Sequence, residues 1–194
     1  MKDMDCLQKT RLAQLQDSNS NEMQRVCQEA KALAKDLVEY RTGKGNPPPS
    51  RTAAILRRLS DELEDRHPAV LANMCGRLNI LTGSAHTKFV QVADEVFRDG
   101  VNWGRIVAIF AFGAKLAQYC FRNRLEKEAD DIADWVGNYI SSLSGWIRSN
   151  GGWEAFNQIF SEAYDERDRS WWKKLCLAAV GFGALATLVY QQSS

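Results

Sequence analysis

Apolar residues recur at intervals of three and four along most of the chain, and this spacing places them on one face of an α-helix. The first helix predicted in this way covers residues 21–41, and its apolar face consists of Val26, Ala30, Leu33, Ala34, Leu37 and Val38. Residues 1–20 are polar, and we predict that they form an N-terminal segment ahead of this helix. The segment TGKGNPPPS then ends it, because the three consecutive prolines Pro47 to Pro49 do not fit a helix interior.

A second amphipathic helix is predicted from about Ser50, with Leu56, Leu59 and Leu63 on one face. Pro68 ends or breaks it. Its charged residues are expected to point outward into solvent, and these are Arg57, Arg58, Glu62 and Glu64. Two shorter helices are predicted after it, over residues 69–81 and 86–98, on either side of the turn residues Thr82, Gly83 and Ser84.

The segment from Asn102 to Phe121 differs from the other helices because it contains nine consecutive apolar residues, Ile106 to Ala114. A helix that is apolar on every side must be surrounded by other helices. A further amphipathic helix around Trp135 and short terminal helices follow. No segment alternates with the period of a β-strand. We therefore predict an all-α bundle of about eight helices around a buried central helix, occupying residues 21–169.

The last part of the chain, residues 170–194, contains a candidate membrane anchor. Leu175 to Tyr190 carries no charge, and Trp171 and Trp172 precede it at a position suited to the membrane interface. Sixteen residues rise only ~24 Å, which is short of a ~30 Å hydrocarbon core. Two interpretations stay open on length alone: a C-terminal tail anchor, or a last core helix folded into an apolar surface groove.

Composition and charge exclude several functions. The chain has 25 basic and 24 acidic residues, and neither half carries the basic excess that nucleic-acid binding needs. The five cysteines are scattered, which is typical of reduced cytosolic thiols. The polar N-terminus gives no support for a signal peptide. No phosphate-binding loop, nucleophile elbow or zinc-protease motif is present, so we expect neither an enzyme nor a metal or other cofactor.

Three motifs carry a family resemblance. NWGRIVAIFAFGAKLA at residues 102–117 and NGGWEAFNQIF at residues 150–160 resemble the first and second homology motifs of the B-cell lymphoma 2 family of apoptosis regulators, and AAILRRLSDELE at residues 53–64 resembles the third. They stand in the family's order and spacing before the candidate anchor. The resemblance therefore covers nearly the whole chain.

The resemblance implies helix-in-groove recognition, in which a groove around the central helix takes the third-motif helix of a partner. By position Arg105 is the groove arginine that pairs with the aspartate of that helix. The implied donor residues of this chain are Leu56, Leu59, Ser60, Asp61 and Leu63. The implied groove residues are Asn102, Gly104, Arg105, Val107, Ala108, Phe112 and Phe160. Thr52 stands where the family usually has an apolar side chain, which suggests weak binding or a shift onto Ile55.

Spacing alone also allows a structural role for these residues. Leucines at helical intervals are usually core residues, a lone aspartate is usually a solvated surface charge, and an arginine often forms a salt bridge or a cap. In a closed monomer the leucine face of the second helix would itself belong to the core. The ligand role and the core role therefore share one face.

The family contains members of opposite function. Effectors of the Bax, Bak and Bok type oligomerise and permeabilise the mitochondrial outer membrane, whereas survival members sequester third-motif helices in the groove. Residues 29–40 and 59–80 resemble Bok and residues 89–105 resemble Bax, which favours an effector. AKDLVEYRTGKG also resembles the fourth motif of survival members, and DIADWVGNYI resembles them too. We therefore predict an effector and keep a survival member as the alternative.

The same resemblance implies partners and a location. The expected partners are other family proteins and their third-motif helices, in hetero- and homo-dimers, together with membrane lipid. The expected location is the cytoplasmic face of the mitochondrial outer membrane or the endoplasmic reticulum, reached by the tail anchor, with a cytosolic fraction.

Overall fold

The computed structural model describes residues 2–66, 68, 75 and 83–161. These residues form seven α-helices and no β-strand, which confirms the all-α class. The helices are α1 (Lys2–Arg41), α2 (Arg51–Arg66), α3 (Ala85–Phe97), α4 (Trp103–Arg122), α5 (Glu126–Ser142), α6 (Ser144–Ser149) and α7 (Gly152–Ser161). The predicted helix over residues 69–81, except Cys75, and the candidate anchor lie outside the described residues.

Helix α4 is the central element, as its sequence predicts. Fifteen of its residues are buried, among them the whole run Ile106 to Ala114. It packs against α1, α2, α3 and α5, so each neighbour buries one apolar face on it. Asn102 begins the helix in an extended conformation, and its side-chain oxygen accepts a hydrogen bond from the backbone N–H of Arg105 at 2.8 Å.

Helix α1 begins at Lys2 instead of near Asn21, so the predicted polar N-terminal segment is helical and continuous with the amphipathic part. The start was placed where apolar positions become frequent. Residues 2–20 are mostly polar, with a few apolar residues at helical spacing, namely Met4, Leu7, Leu12 and Leu15. They also contain several good helix formers, including lysine, leucine, glutamine and arginine, which favour a helix here. The apolar face itself is buried as predicted, from Val26 to Val38.

Helices α1 and α5 approach each other closely at Gly137. A Cβ atom at this position would lie 2.9 Å from the backbone Cα of Lys31, closer than real Cβ contacts. The absence of a side chain therefore permits this crossing. Because α5 also packs along α4, the crossing ties α1 to the central helix from a second side.

Helix α2 begins after Ser50, whose hydroxyl accepts a hydrogen bond from the backbone N–H of Ala53 at 3.1 Å. Its leucine face is buried, as predicted. The prediction that Arg57 points outward is wrong: its exposed fraction is 8%. Arg57 lies beside the apolar face, and Asp36 of α1 supplies the charge that makes its burial possible. No helix within the described residues is long and apolar enough to cross a membrane.

Candidate functional site

The start of α4 holds a buried arginine with unused hydrogen-bonding capacity. The side chain of Arg105 has an exposed fraction of 8%, and its Nη1 donates to the backbone oxygen of Gly100 at 2.6 Å. Its Nε has no hydrogen-bond partner among the described residues. Buried guanidinium groups are normally paired with an anion. Arg105 is thus a buried cation whose hydrogen-bonding capacity is only partly used among the described residues.

The other predicted groove residues are buried around this helix. Phe112 stacks on Phe89 of α3, with ring centroids 6.2 Å apart, and Phe160 packs on Phe156 at 4.9 Å. Phe156 in turn contacts Trp103, at the start of α4, at 5.5 Å. Asn102 is half-buried, and the remaining residues are buried in α4: Gly104, Val107 and Ala108. The apolar part of the predicted groove is therefore covered in this structure.

The predicted donor face of α2 packs into its own bundle. Leu56, Leu59, Ser60 and Leu63 are all buried. Asp61 is half-buried at the edge of this face. In the closed molecule the leucines consequently have the core role that their spacing also allowed, and their role as ligands remains a prediction.

Asp61 is held by the last turn of α1. The hydroxyl of Tyr40 donates to its Oδ2 at 2.9 Å, and Nη2 of Arg41 lies 3.0 Å from its Oδ1. The hydrogen bond to Asp61, with a smaller effect of burial, raises the pKa of Tyr40. Both carboxylate oxygens of Asp61 therefore have partners within the same chain.

A buried ion pair joins the same two helices one turn away. Arg57 donates from Nε and Nη2 to the two oxygens of Asp36, at 2.9 and 2.6 Å, and from Nη1 to the backbone oxygen of Asn46 at 2.8 Å. Its guanidinium also lies over the ring of Tyr40, 4.6 Å from the centroid. A two-point guanidinium–carboxylate contact of this kind fixes geometry as well as charge.

Glu64 extends this polar cluster to the central helix. Its carboxylate binds Arg41 of α1 and the Nζ of Lys115 of α4. Gln118, one turn further along α4, donates to the backbone oxygen of Arg41 at 3.1 Å. Burial acts to raise the pKa of Glu64, but the hydrogen bond from Lys115 and the charges of Arg41, Lys115 and Arg122 outweigh burial and hold it below its ordinary value of 4.5.

Thr52 has two hydrogen-bond partners inside the bundle. Its hydroxyl donates to Oε1 of Glu29 at 3.0 Å and accepts from Nδ2 of Asn157 at 3.1 Å. These contacts join α2 to both α1 and α7. They explain a polar residue at this buried position, where the resembled family usually has an apolar one.

Asp36, Tyr40 and Arg41 were missed by the sequence analysis. They lie on the last turns of α1, next to the predicted apolar residues Leu37 and Val38. Their position at the border of that face was a usable signal, because polar groups there can reach a neighbouring helix. Which helix they reach depends on the tertiary structure.

The described residues thus form an all-α bundle with a buried arginine at the start of its central helix. The sequence profile described as "Apoptosis regulator proteins, Bcl-2 family" matches residues 56–153. The chain is 34% identical to apoptosis regulator R1 of Xenopus laevis over 174 residues, which cover 82% of this chain and 76% of that protein. It is 39% identical to apoptosis regulator Bcl-2 of Gallus gallus over 145 residues, covering 73% and 62%. The chain belongs to the Bcl-2 family of apoptosis regulators.

Human Bcl-2-like protein 1 is also similar, at 38% identity over 58% of this chain and 49% of its own length. The chain thus spans between about half and three quarters of the length of these relatives. Among solved structures, the zebrafish pro-survival protein NRZ in complex with Bad BH3 has a TM-score of 0.65 at 27% identity, covering 72% of this chain and 97% of that one. Chicken BOK has a TM-score of 0.60 at 30% identity, covering 70% and 97%.

The lowered pKa of Glu64 predicts a pH-dependent contribution to stability. A carboxylate whose pKa is depressed in the folded state stabilises the fold above its unfolded pKa, and this contribution is lost as the pH falls through the folded value. Glu64→Gln should therefore lower the free energy of unfolding near neutral pH. The difference from wild type should shrink below about pH 4.5. Urea denaturation followed by circular dichroism at several pH values measures this difference.

Glu29→Gln is the matched control, because its effect on the free energy of unfolding is expected to have the opposite sign. Burial raises the pKa of Glu29, with a smaller contribution from Glu154 and an opposing one from the Thr52 hydrogen bond. The charged form is thus disfavoured by folding, so the glutamine variant should gain stability relative to wild type at neutral pH, and the gain should disappear in acid. If the stability difference from wild type changed with pH in the same direction for both variants, the opposite pKa shifts of Glu64 and Glu29 would be contradicted.

Proposed function

We propose that this chain captures the third-motif (BH3) helix of a partner protein, with Arg105 as the residue that pairs with the aspartate of that helix. The observation that carries the proposal is the buried guanidinium of Arg105, whose Nε has no partner among the described residues. The similarity to zebrafish NRZ, whose structure holds Bad BH3, supports the same ligand class.

A carboxylate fits Arg105 better than a neutral ligand group does. Its oxygens accept from the planar guanidinium fork, and the reduced access of water strengthens the attraction. An amphipathic helix supplies this carboxylate together with apolar side chains at helical spacing. Arg105 accordingly determines which face and register of the ligand helix bind.

Ligand binding requires displacement of the elements that cover the apolar groove residues. Phe112 packs on Phe89 of α3, so a ligand helix that reaches Phe112 would displace part of this contact. Apolar side chains of the ligand would then replace that packing. The bound helix thus exchanges one apolar contact for another and adds the ion pair to Arg105.

The contacts of α2 favour a survival function, in which the groove sequesters the third-motif helix of pro-apoptotic partners. Releasing α2 would separate the buried pair Asp36–Arg57, whose two-point geometry exists only while α2 packs on α1. It would also expose Leu56, Leu59 and Leu63. A molecule that keeps α2 in place can still accept a helix from another protein.

The effector function remains the second candidate. It is supported by the Bok-like segments of the sequence and by the 30% identity to chicken BOK. An effector would release α2 so that Leu56, Leu59 and Asp61 enter the groove of a neighbouring copy. Reciprocal contacts of this kind produce symmetric dimers, which gather into membrane-permeabilising assemblies.

Membrane attachment through the candidate tail is part of either function. The uncharged run from Leu175 to Tyr190, preceded by Trp171 and Trp172, supports an anchor in the mitochondrial outer membrane or the endoplasmic reticulum. The globular part would then lie on the cytoplasmic side, where partner helices are available.

Removing the groove arginine should weaken ligand binding. Arg105→Ala leaves the ligand aspartate without its cation, and loss of one member of a buried charge pair costs ~2–5 kcal/mol. Calorimetric titration with the Bad third-motif peptide measures the loss. Arg98→Ala is the matched control, because the side chain of Arg98 is 63% exposed and pairs only locally with Glu95 and Asp99 among the described residues. Equal affinities for the two variants would remove Arg105 from the site.

Dye release from vesicles of mitochondrial lipid composition separates the two functions. A survival protein causes no leakage, protects vesicles against added Bax or Bak, and loses this protection with Arg105→Glu. An effector causes leakage that Asp61→Arg and Arg105→Glu each abolish, and mixing the two variants partly restores it through the exchanged charges. Circular dichroism first establishes that both variants are folded. Undiminished leakage by both folded variants would contradict both functions.

A chain ending at Arg169 should lose membrane attachment, because it lacks the uncharged run. Fractionation of cells should recover this shortened chain in the cytosol and the full chain at least partly on mitochondria or endoplasmic reticulum. An identical distribution of the two chains would show that the run is not an anchor.

A further inference from the structure

The donor carboxylate of this chain is already occupied within the molecule. Asp61 is the α2 residue that would pair with the groove arginine of another copy. In the closed structure Tyr40 binds one of its oxygens and Arg41 binds the other. Because α1 holds Asp61 and the leucine face beside it is buried in its own bundle, Asp61 can enter a neighbouring groove only after these contacts are released.

We propose that the last turn of α1 is an autoinhibitory latch, in which Tyr40 and Arg41 hold Asp61 and so withhold α2 from the grooves of other copies. The inference rests on the proposed function, since it assumes that the groove accepts third-motif helices. It adds a division of roles: the closed molecule accepts a helix from a partner, and it donates its own helix only after the latch opens.

The two latch residues differ from the rest of the α1–α2 interface in their position. They are the last two residues of α1, and the residues that follow, 43–50, are all exposed. Helix ends separate from a structure more easily than helix interiors do. By contrast, Asp36 lies a turn further in and is buried with Arg57. The latch can therefore open first, and separation of the Asp36–Arg57 pair follows as the later step in the release of α2.

Arg57 determines where the latch tyrosine lies. Its guanidinium covers the ring of Tyr40, and the pair with Asp36 keeps the guanidinium in place. The ring is thus fixed from one side, and the hydroxyl is directed to Asp61. Arg41 is fixed in a similar way, because it also binds Glu64 and donates to the hydroxyl of Ser60 at 3.1 Å. The latch is consequently preorganised.

The test opens the latch with the smallest available changes in the full chain. Tyr40→Phe removes only the hydroxyl and keeps the ring under Arg57, and Arg41→Gln removes the charge. The matched control is Tyr139→Phe, because Tyr139 donates to Asp94 at 2.8 Å between α5 and α3, away from α2. All variants are first compared by circular dichroism.

Hydrogen–deuterium exchange then reports the opening of α2. In the Tyr40→Phe/Arg41→Gln variant, amide exchange of residues 51–66 should rise about tenfold or more, since hydrogen bonds to charged groups contribute roughly that factor each. Exchange of residues 85–97 should stay near wild type. The Tyr139→Phe control should leave residues 51–66 unchanged. Unchanged exchange of α2 in the double variant, or an equal rise in α2 and α3, would overturn the latch.

Sedimentation velocity supplies the second required result. The double variant should self-associate where wild type stays monomeric, and adding Arg105→Glu should abolish the association. A variant that remains monomeric overturns the proposal even where α2 exchange rises. Titration of the same samples with the Bad third-motif peptide distinguishes failure of the latch from failure of the proposed function. If the double variant binds the peptide but does not self-associate, the latch is refuted. If no chain binds the peptide, wild type included, the proposed function is refuted.

Discussion

A helix that is apolar on every side determines the rest of this structure. Water is excluded from all faces of α4 only if several other helices surround it, and each of them needs just one apolar face to do so. Helices α1, α2, α3 and α5 meet this requirement, and each contacts α4. The burial of Arg105 follows from the same constraint, because the residue lies in the first turn of a helix that the bundle encloses.

The leucine face of α2 has two possible roles, and it cannot perform both at once. Its leucines are equally suited to the core of their own molecule and to an apolar groove in another, so apolar contact alone does not discriminate between these states. Polar contacts do, because they depend on exact geometry. The pairs Asp36–Arg57 and Tyr40–Asp61 and the links made by Glu64 are specific to the intramolecular arrangement. Buried ion pairs add little net stability but can specify one packing over another.

The helices of the bundle could be predicted from the sequence because their apolar spacing is a local property. Residues close in sequence are enough to predict that α2 starts after Ser50 and that α4 is enclosed by other helices. The start of α1 could not be placed in this way, because apolar positions are sparse in its first half and the segment as a whole is polar.

The candidate site was predictable only in part. Arg105 and Asp61 follow from motifs, but their environments depend on residues far away in the chain: Asp36 is 21 positions from Arg57, and Lys115 is 51 from Glu64. Local periodicity places Arg57 at the border of an apolar face and leaves open whether a distant carboxylate will make its burial favourable. The predicted outward position failed for this reason.

Thr52 gives the closed state an additional bias. Inside its own bundle the hydroxyl has both a donor and an acceptor partner, Asn157 and Glu29. An apolar pocket of another molecule would offer neither, and a hydroxyl transferred there without a new hydrogen bond is penalised by ~1–3 kcal/mol on the scale of protein substitutions. A single side chain thus makes α2 a better component of its own fold than a ligand. A groove of another molecule that binds α2 must therefore offset the free energy lost when Thr52 gives up these two hydrogen bonds.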